Sequence, residues 1–324
     1  MIEIKNLTKA YGTKKAIDNI SFTVNSGEIL GFLGPNGAGK TTTMNIITGY
    51  NGATSGTVTV DGLDTVENPM ECRRKIGYLP ELPPLYMDMT VSEYLNFVFE
   101  LKKPDLDCEE HLDEIMEIVK IKDVSGRLIK NLSKGYKQRV GIAQALIGNP
   151  EILILDEPTV GLDPKQIIEI RNVIRDLGKD RTIILSSHIL PEVSAICERV
   201  IIINEGKIMA IDTPDNLSAK LSGENKLLIR VEGKEKEVTG ALRGVDGISG
   251  IECVGEVEEG TCDFVVSAKK GADVRKKVFS ALAKADMPIL MSKAAGLSLE
   301  DIFLKLTTDE SKEAKKSKKE EDKN

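Results

Sequence analysis

Residues Gly34-Pro35-Asn36-Gly37-Ala38-Gly39-Lys40-Thr41 fit the phosphate-binding loop pattern G-x-x-x-x-G-K-[S/T] at every fixed position. An apolar run suited to a buried strand precedes the loop at residues 28–33, and a helical pattern follows it from Thr41 to Thr48. Strand, glycine-rich loop and helix are the order that the motif requires, because amides at the start of the helix surround the phosphates. The sequence therefore predicts a bound nucleoside triphosphate. For the loop taken alone, a glycine-rich turn that binds nothing is the alternative.

Each part of the loop has an expected task. The backbone N–H groups of residues 37–42 can donate to the phosphates, and the last of these groups belongs to Thr42. The helix dipole adds a favourable potential. Lys40 would bridge the terminal phosphates. Thr41 would ligate Mg²⁺ through its hydroxyl.

The composition favours a soluble chain of two domains. A length of 324 residues suggests two domains, and the net charge of −7 argues against a broad nucleic-acid-binding surface. The five cysteines are scattered without C-x-x-C spacing, which indicates a reducing compartment and neither a metal nor a disulfide framework. No apolar run approaches the roughly 18 residues of a membrane helix, and the N-terminus lacks the apolar block of a signal peptide. We therefore expect a cytosolic chain.

The strand patterns of the first 220 residues predict an α/β fold. Residues 2–24 and 56–61 alternate as antiparallel strands with one buried face do. Unbroken apolar runs, typical of central parallel strands covered on both sides, lie at residues 152–155, 183–185 and 200–203. An insertion at about 82–147 is mostly helical in pattern, with candidate helices at 91–102, 108–120 and 134–147.

A second domain is expected over residues 225–307. Its strand, helix, strand, strand, helix, strand order is compatible with a small α+β ferredoxin-like domain, and residues 299–306 are expected to close it as a short helix. Residues 308–324 are almost entirely charged or polar. Because their acidic and basic residues offset each other, a solvated disordered tail is a better interpretation than a patch for anionic lipids.

Two carboxylates, Asp156 and Glu157, follow the apolar run at 152–155. Phosphate-loop enzymes place a carboxylate on or near Mg²⁺ in this way, and an adjacent glutamate can orient or deprotonate the attacking water. The alternative is a charged turn after a strand. The presence of the phosphate-binding loop in the same chain makes this alternative less favoured.

Four further motifs lie in the same part of the chain: Ala10-Tyr11-Gly12, Leu132-Ser133-Lys134-Gly135-Tyr136-Lys137-Gln138-Arg139, Gly161-Leu162-Asp163 and Leu185-Ser186-Ser187-His188. With them, residues 1 to about 220 resemble the ATP-binding subunit of an ATP-binding-cassette (ABC) transporter, with a P-loop NTPase core. The segment at 132–139 resembles the signature of that family. The segment at 161–163 matches the loop that meets the partner subunit, and His188 matches the switch histidine. Tyr11 matches the aromatic residue that stacks on adenine, with a core aromatic beside a turn as the alternative.

The resemblance implies that two subunits, here taken as a homodimer, sandwich two ATP molecules. Ser133 and Gly135 would then contact the γ-phosphate of the ATP bound on the opposite subunit, and Asp163, in the segment that meets the partner, would belong to the nucleotide site. Lys134 and Tyr136 depart from the commonest signature, and Glu81 stands where the family usually has glutamine; its carboxylate can still ligate Mg²⁺. These variants resemble the export-type branch, whose permeases are separate membrane proteins.

The resemblance thus implies an ATPase that dimerises on ATP, with Mg²⁺ held by Thr41, Asp156 and Glu81. Glu157 would be the base, Lys40 would stabilise charge, and His188 would sense the γ-phosphate. The subunit would act at the inner face of the membrane through an integral permease, docked on the helical insertion.

Other interpretations of the same motifs predict different sequences. A soluble cassette ATPase of translation or chromosome maintenance is the alternative, but it would carry two cassettes or a long coiled coil. A non-catalytic scaffold would lack Lys40, Asp156, Glu157 or His188, and all four are present. The second histidine, His111, stands among acidic neighbours and is expected on the surface.

Overall fold

The computed structural model describes residues 1–214, 216–217, 225–258, 260–269 and 271–294. The chain folds into two compact units, Met1–Thr213 and Pro214–Asn324. Each unit has its own buried apolar cluster.

A six-stranded sheet forms the centre of the first unit, with the order β10-β9-β3-β8-β7-β6. Its strands are β3 (Ile29–Leu33), β6 (Ile76–Leu79), β7 (Ile152–Asp156), β8 (Thr182–Ser187), β9 (Arg199–Asn204) and β10 (Lys207–Asp212). Neighbouring strands are parallel except β9 and β10. Every residue of β3, β7 and β8 is buried, as their unbroken apolar patterns predict. The carboxyl ends of these strands meet at one edge, because Leu33 pairs with Ser187 and Asp156 with Ser186.

An antiparallel sheet with the order β2-β1-β4-β5 packs beside the central one. Its strands are β1 (Ile2–Tyr11), β2 (Lys14–Val24), β4 (Ser55–Val60) and β5 (Leu63–Asp64). Alternation buries Ile2 and Ile4 in the same cluster as Phe22 and Phe32, whose rings are 5.5 Å apart. The antiparallel arrangement predicted for these segments is thus confirmed.

The first unit has seven α-helices among its described residues: α1 (Lys40–Ile47), α2 (Pro69–Lys75), α3 (Val91–Lys102), α4 (Cys108–Ile118), α5 (Lys134–Leu146), α6 (Pro164–Leu177) and α7 (Leu190–Ser194). Two short 3-10 helices, Lys122–Val124 and Ile129–Asn131, precede α5. Side-chain caps start the helices of the insertion: Thr90 and Glu93 form a capping box, and Asp107 and Ser133 accept bonds from the first turns of α4 and α5.

The structure corrects the expectation for His111, which is buried on α4 beside Leu112 and Ile115. Its Nε2 accepts a hydrogen bond from the amide of Gly148 at 3.1 Å. The acidic residues that suggested a surface position are its neighbours in sequence, and they do not decide which face of the helix packs inward. Burial lowers the pKa of His111 below its usual range.

The second unit has the predicted order of elements. These are β11 (Asn225–Glu232), α8 (Glu235–Leu242), β12 (Ile248–Gly255), β13 (Thr261–Ala268), α9 (Arg275–Lys284) and β14 (Ile289–Ala294). All strand pairs of its sheet, ordered β12-β13-β11-β14, are antiparallel, as in a ferredoxin-like fold. Both helices contribute to one core around Phe264 and Ile229. The helix predicted at 299–306 and the predicted tail at 308–324 lie outside the described residues.

Candidate active site

The phosphate-binding loop connects the end of β3 to the start of α1. Gly37 and Gly39 have φ values of 80° and 109°, which glycine adopts without the strain that a Cβ would cause. Gly39 also lies close to β2, since a Cβ on it would be 2.6 Å from the carbonyl oxygen of Ala16. Because α1 begins at Lys40, the first-turn amides have no partner within the helix. The loop therefore has the form of an anion-binding site.

Lys40 extends beneath this loop and is only 6% exposed. Its Nζ donates to the carbonyl oxygens of Gly34 and Pro35 at 2.8 and 3.3 Å. It also forms an ion pair with Oε1 of Glu157 at 3.2 Å. These partners offset the cost of burying an ammonium group, and they hold its charge at the loop.

Asp156, the last residue of β7, is fully buried. The hydroxyl of Ser186 on β8 donates to its Oδ1. Burial raises the pKa of Asp156 above its usual range, while hydrogen bonds from Ser186 and Thr41 act in the opposite direction. A buried carboxylate of this kind is stabilised by a neighbouring positive charge.

Asp156 and Thr41 fit the cation that the sequence implies. Oδ2 of Asp156 is buried and has no hydrogen-bond partner, and the hydroxyl of Thr41 lies close enough to lower the pKa of the same carboxyl group. Oxygen donors of this kind are the ligands that Mg²⁺ prefers, usually one or two carboxylates completed by substrate phosphates.

Glu81 lies exposed just beyond the end of β6, the neighbour of β7. Burial raises the pKa of Tyr78 strongly, and the charges of Asp156 and Glu81 add to that rise. Because β6 and β7 are parallel neighbours, with Leu79 paired to Leu155, Glu81 and Asp156 follow the same edge of the sheet.

Glu157 joins the two predicted catalytic neighbours, Lys40 and His188. Its backbone has a φ of 50°, which is uncommon for a residue with a Cβ, and its amide donates to the carbonyl oxygen and hydroxyl of Ser186 at 3.2 and 3.1 Å. Oε2 of Glu157 lies 2.8 Å from Nδ1 of His188. An ionised carboxylate only accepts, so this bond places the proton on Nδ1 and leaves Nε2 of the partly exposed histidine available.

The signature segment lies against the start of α6. Ser133 caps α5, accepting a bond from the Tyr136 amide at 3.4 Å, and Asp163 caps α6 in the same way. Gly135 is tightly packed, because a Cβ there would be 2.7 Å from the Gln166 side chain. No hydrogen bond or ion pair in the described chain joins Ser133, Gly135 or Asp163 to the cluster around Lys40.

Two more of the predicted nucleotide contacts, Tyr11 and Asn36, are open to solvent. Tyr11, at the end of β1, is 53% exposed, and Nζ of Lys9 lies 5.1 Å from its ring centroid. This position rules out the alternative that Tyr11 is a core aromatic. Asn36 is exposed at the turn of the phosphate-binding loop.

Sequence reasoning missed Ser186, which bonds to both Asp156 and the Glu157 amide. The available signal was a polar residue in a buried strand, two positions before the predicted switch histidine. It also missed a hydrogen bond between two buried side chains, in which the hydroxyl of Thr159 donates to Oε2 of Glu192 on α7. No sequence pattern indicates that pair, because its members are brought together only by the sheet.

Comparison with known proteins agrees with this geometry. A family model described as ABC transporter matches residues 17–160. The bacitracin transport ATP-binding protein BcrA of Bacillus licheniformis is 40% identical over 72% of this chain and 78% of its own. The linearmycin resistance ATP-binding protein LnrL of Bacillus subtilis is 34% identical over 95% of this chain and 98% of its own. The chain belongs to the ABC transporter ATP-binding proteins.

Solved structures of ABC cassettes match about two thirds of the chain. The dimeric, post-hydrolysis structure of the cassette MJ0796 bound to ADP and Pi has a TM-score of 0.61 and 27% identity, covering 66% of this chain and 98% of that one. The predicted fold class and the ATP-binding transporter function are confirmed. The relatives named for transport and resistance disfavour the soluble alternative. None of the helices in the described residues is long and apolar enough to span a bilayer.

Proposed function

We propose that this ABC ATP-binding protein hydrolyses ATP at two sites shared between two copies of the chain, and thereby drives export through a separate permease. The convergence of Lys40, Asp156, Glu157 and His188 at one edge of the sheet carries the proposal. Phosphoryl transfer to water needs three parts that this edge provides: backbone amides of a loop for the phosphates, a buried carboxylate, and a glutamate paired with a histidine.

The residues act on ATP in distinct ways. Tyr11 stacks on the adenine, and the loop amides receive the phosphates together with Lys40. Thr41, Asp156 and Glu81 would hold Mg²⁺, which would supply positive charge against the charge that develops on the phosphates. Glu157 takes the proton of the attacking water as the water oxygen bonds to the γ-phosphorus and the bond to the bridging oxygen breaks. His188, oriented through its Nδ1, presents Nε2 to the γ-phosphate.

The Lys40–Glu157 ion pair links binding to catalysis. The two side chains are partners at 3.2 Å, and both are buried. An arriving phosphate competes for Lys40, and the carboxylate of Glu157 is then released to orient water. The base is thus made available by the substrate itself.

A second subunit completes each site. Ser133 and Gly135 stand at the start of a helix whose dipole favours an anion, yet no hydrogen bond or ion pair in the described chain joins them to the Lys40 cluster. We assign them, with Asp163, to the ATP bound by the other copy in a homodimer. The dimeric MJ0796 cassette supports this arrangement.

The permease contact is proposed on the helical insertion. Leu82, Tyr86 and Met87 are exposed apolar side chains at its start, and such groups favour a protein partner. The names of BcrA and LnrL favour export. The protein would then lie in the cytoplasm on the inner face of the membrane, and the permease would choose the cargo. No nucleic-acid partner is proposed, and residues 1–220 and 225–307 are proposed as the cassette and an accessory domain.

Phosphate release by the purified chain tests the proposal. Wild type should hydrolyse ATP in a Mg²⁺-dependent manner, and Glu157→Gln should abolish turnover while retaining ATP in a closed dimer. Normal hydrolysis by Glu157→Gln would remove the assigned base. Glu81→Gln should keep measurable activity, and its complete inactivity would show an indispensable role for that carboxylate.

A further inference from the structure

The loops that follow β7 and β8 are joined by a second pair of side chains beyond Glu157 and His188. The hydroxyl of Thr159 donates to Oε2 of Glu192, and these residues are only 4% and 5% exposed. Glu192 lies on α7, four residues after His188, and Thr159 lies two residues after Glu157. The pair therefore bridges the two segments that carry the catalytic groups.

Glu192 is an unusual carboxylate because it is buried without a cation. No ion pair in the described chain includes it, whereas buried Glu28 is paired with Arg199 at 2.7 Å. A buried carboxylate is costly unless hydrogen bonds replace its hydration. The hydroxyl of Thr159 is the donor that the structure shows for the Glu192 carboxylate, so burial strongly favours this hydrogen bond.

The link also reaches the partner-facing segment. Backbone bonds from Val160 to Glu157 and from Leu162 to Thr159, both 3.2 Å, close successive turns that lead to Asp163 at the start of α6. On the other side, the amide of Glu192 donates to the carbonyl oxygen of Ile189, next to His188. Thr159 and Glu192 thus tie residues 157–163 to residues 188–192.

We propose that Thr159 and Glu192 are positioning residues of the ATPase, which make the His188 segment and the Gly161–Asp163 segment move as one unit. The inference rests on the proposed ATP hydrolysis. When the γ-phosphate draws His188, the buried link shifts the segment presented to the other subunit with it. ATP binding at one site thereby changes the position of the segment at the dimer interface without a direct contact between His188 and Asp163.

Thr159→Val tests the link, because valine keeps the shape of threonine and removes the hydroxyl. We expect kcat to fall at least about tenfold, while the Kd for a non-hydrolysable ATP analogue stays within about twofold. Thr159→Ser should restore activity. Thr182→Val is the matched control: that buried threonine, at the other end of β8, accepts a bond from the Gly27 amide at 2.9 Å and should affect the Tm but not kcat.

The double variant Thr159→Val/Glu192→Met separates positioning from stability. Removing both polar partners should return the Tm to within about 2 °C of wild type, because neither is left unpaired. The kcat should stay at least about fivefold low, because the link is still absent. Recovery of kcat together with the Tm, or normal kcat in Thr159→Val, would overturn the proposal. Wild type without ATPase activity would instead overturn the proposed function, and this inference with it.

Discussion

Removal of the charge on Glu157 should tighten ATP binding, although it abolishes catalysis. Oε1 of Glu157 is 3.2 Å from Nζ of Lys40, and both side chains are buried. At that separation and an effective dielectric constant of about 20, two unit charges attract each other by about 5 kcal/mol. An incoming phosphate must replace Glu157 as the partner of Lys40, and the negative charge of the carboxylate also repels it.

The net gain is smaller than the gross attraction, because Glu157→Gln also leaves Lys40 with fewer partners before ATP arrives. Within the described chain, the Lys40–Glu157 contact is an ion pair without a hydrogen bond to Oε1 of Glu157, and close charge pairs couple by about 1.5 kcal/mol or more. Since about 1.4 kcal/mol corresponds to tenfold in Kd, we expect the affinity to rise at least about tenfold.

Isothermal titration calorimetry with a non-hydrolysable ATP analogue measures this affinity without turnover in either protein. Glu28→Gln is the matched control, because it breaks a buried ion pair with Arg199 away from the loop and should leave Kd unchanged. An equal or weaker affinity of Glu157→Gln would refute the competition between Glu157 and phosphate for Lys40.

Two further predictions follow from buried titratable groups. Burial raises the pKa of Asp156, so the contribution of this group to stability is lost as the pH rises through that pKa. Asp156→Asn should therefore abolish hydrolysis yet raise the Tm of the nucleotide-free protein at pH 7.5 by about 2–4 °C. An unchanged or lower Tm in calorimetry would contradict this reasoning. Burial lowers the pKa of His111 from the ordinary 6.5, so on acidification the unfolded chain takes up a proton before the folded chain does; the stabilising contribution of neutral His111 is complete above pH 6.5 and is lost as the pH falls. Urea unfolding between pH 7.5 and 5 should therefore show a smaller loss of stability in His111→Gln than in wild type. Identical losses would argue against a neutral buried His111.

Local patterns with strong physical signals predicted most of the fold. Helix α3 has the predicted bounds, Val91–Lys102, because Thr90 and Glu93 form a capping box ahead of an apolar stripe. The apolar runs that became β7 and β8 could be recognised as central strands, since both faces of each are covered. Their shared edge then brings Asp156, Glu157 and His188 together.

Features that depend on packing could not be predicted in the same way. The acidic residues around His111 describe the solvent face of α4, while the histidine occupies the opposite face. Thr159 and Glu192 are 33 residues apart and meet only because β7 and β8 are neighbours in the sheet. The ion pair of Lys40 with Glu157 likewise requires the loop and β7 to be in place.

Mixing two inactive variants tests the shared site most directly. Ser133→Arg disables the signature segment, and Glu157→Gln disables the base; each alone should lack ATPase activity. In an equal mixture of the two chains about half of the dimers are mixed, and each has one intact site of two, so we predict recovery of about one quarter of the wild-type rate per chain. A mixture with no more activity than its separate components would contradict a site built from two subunits.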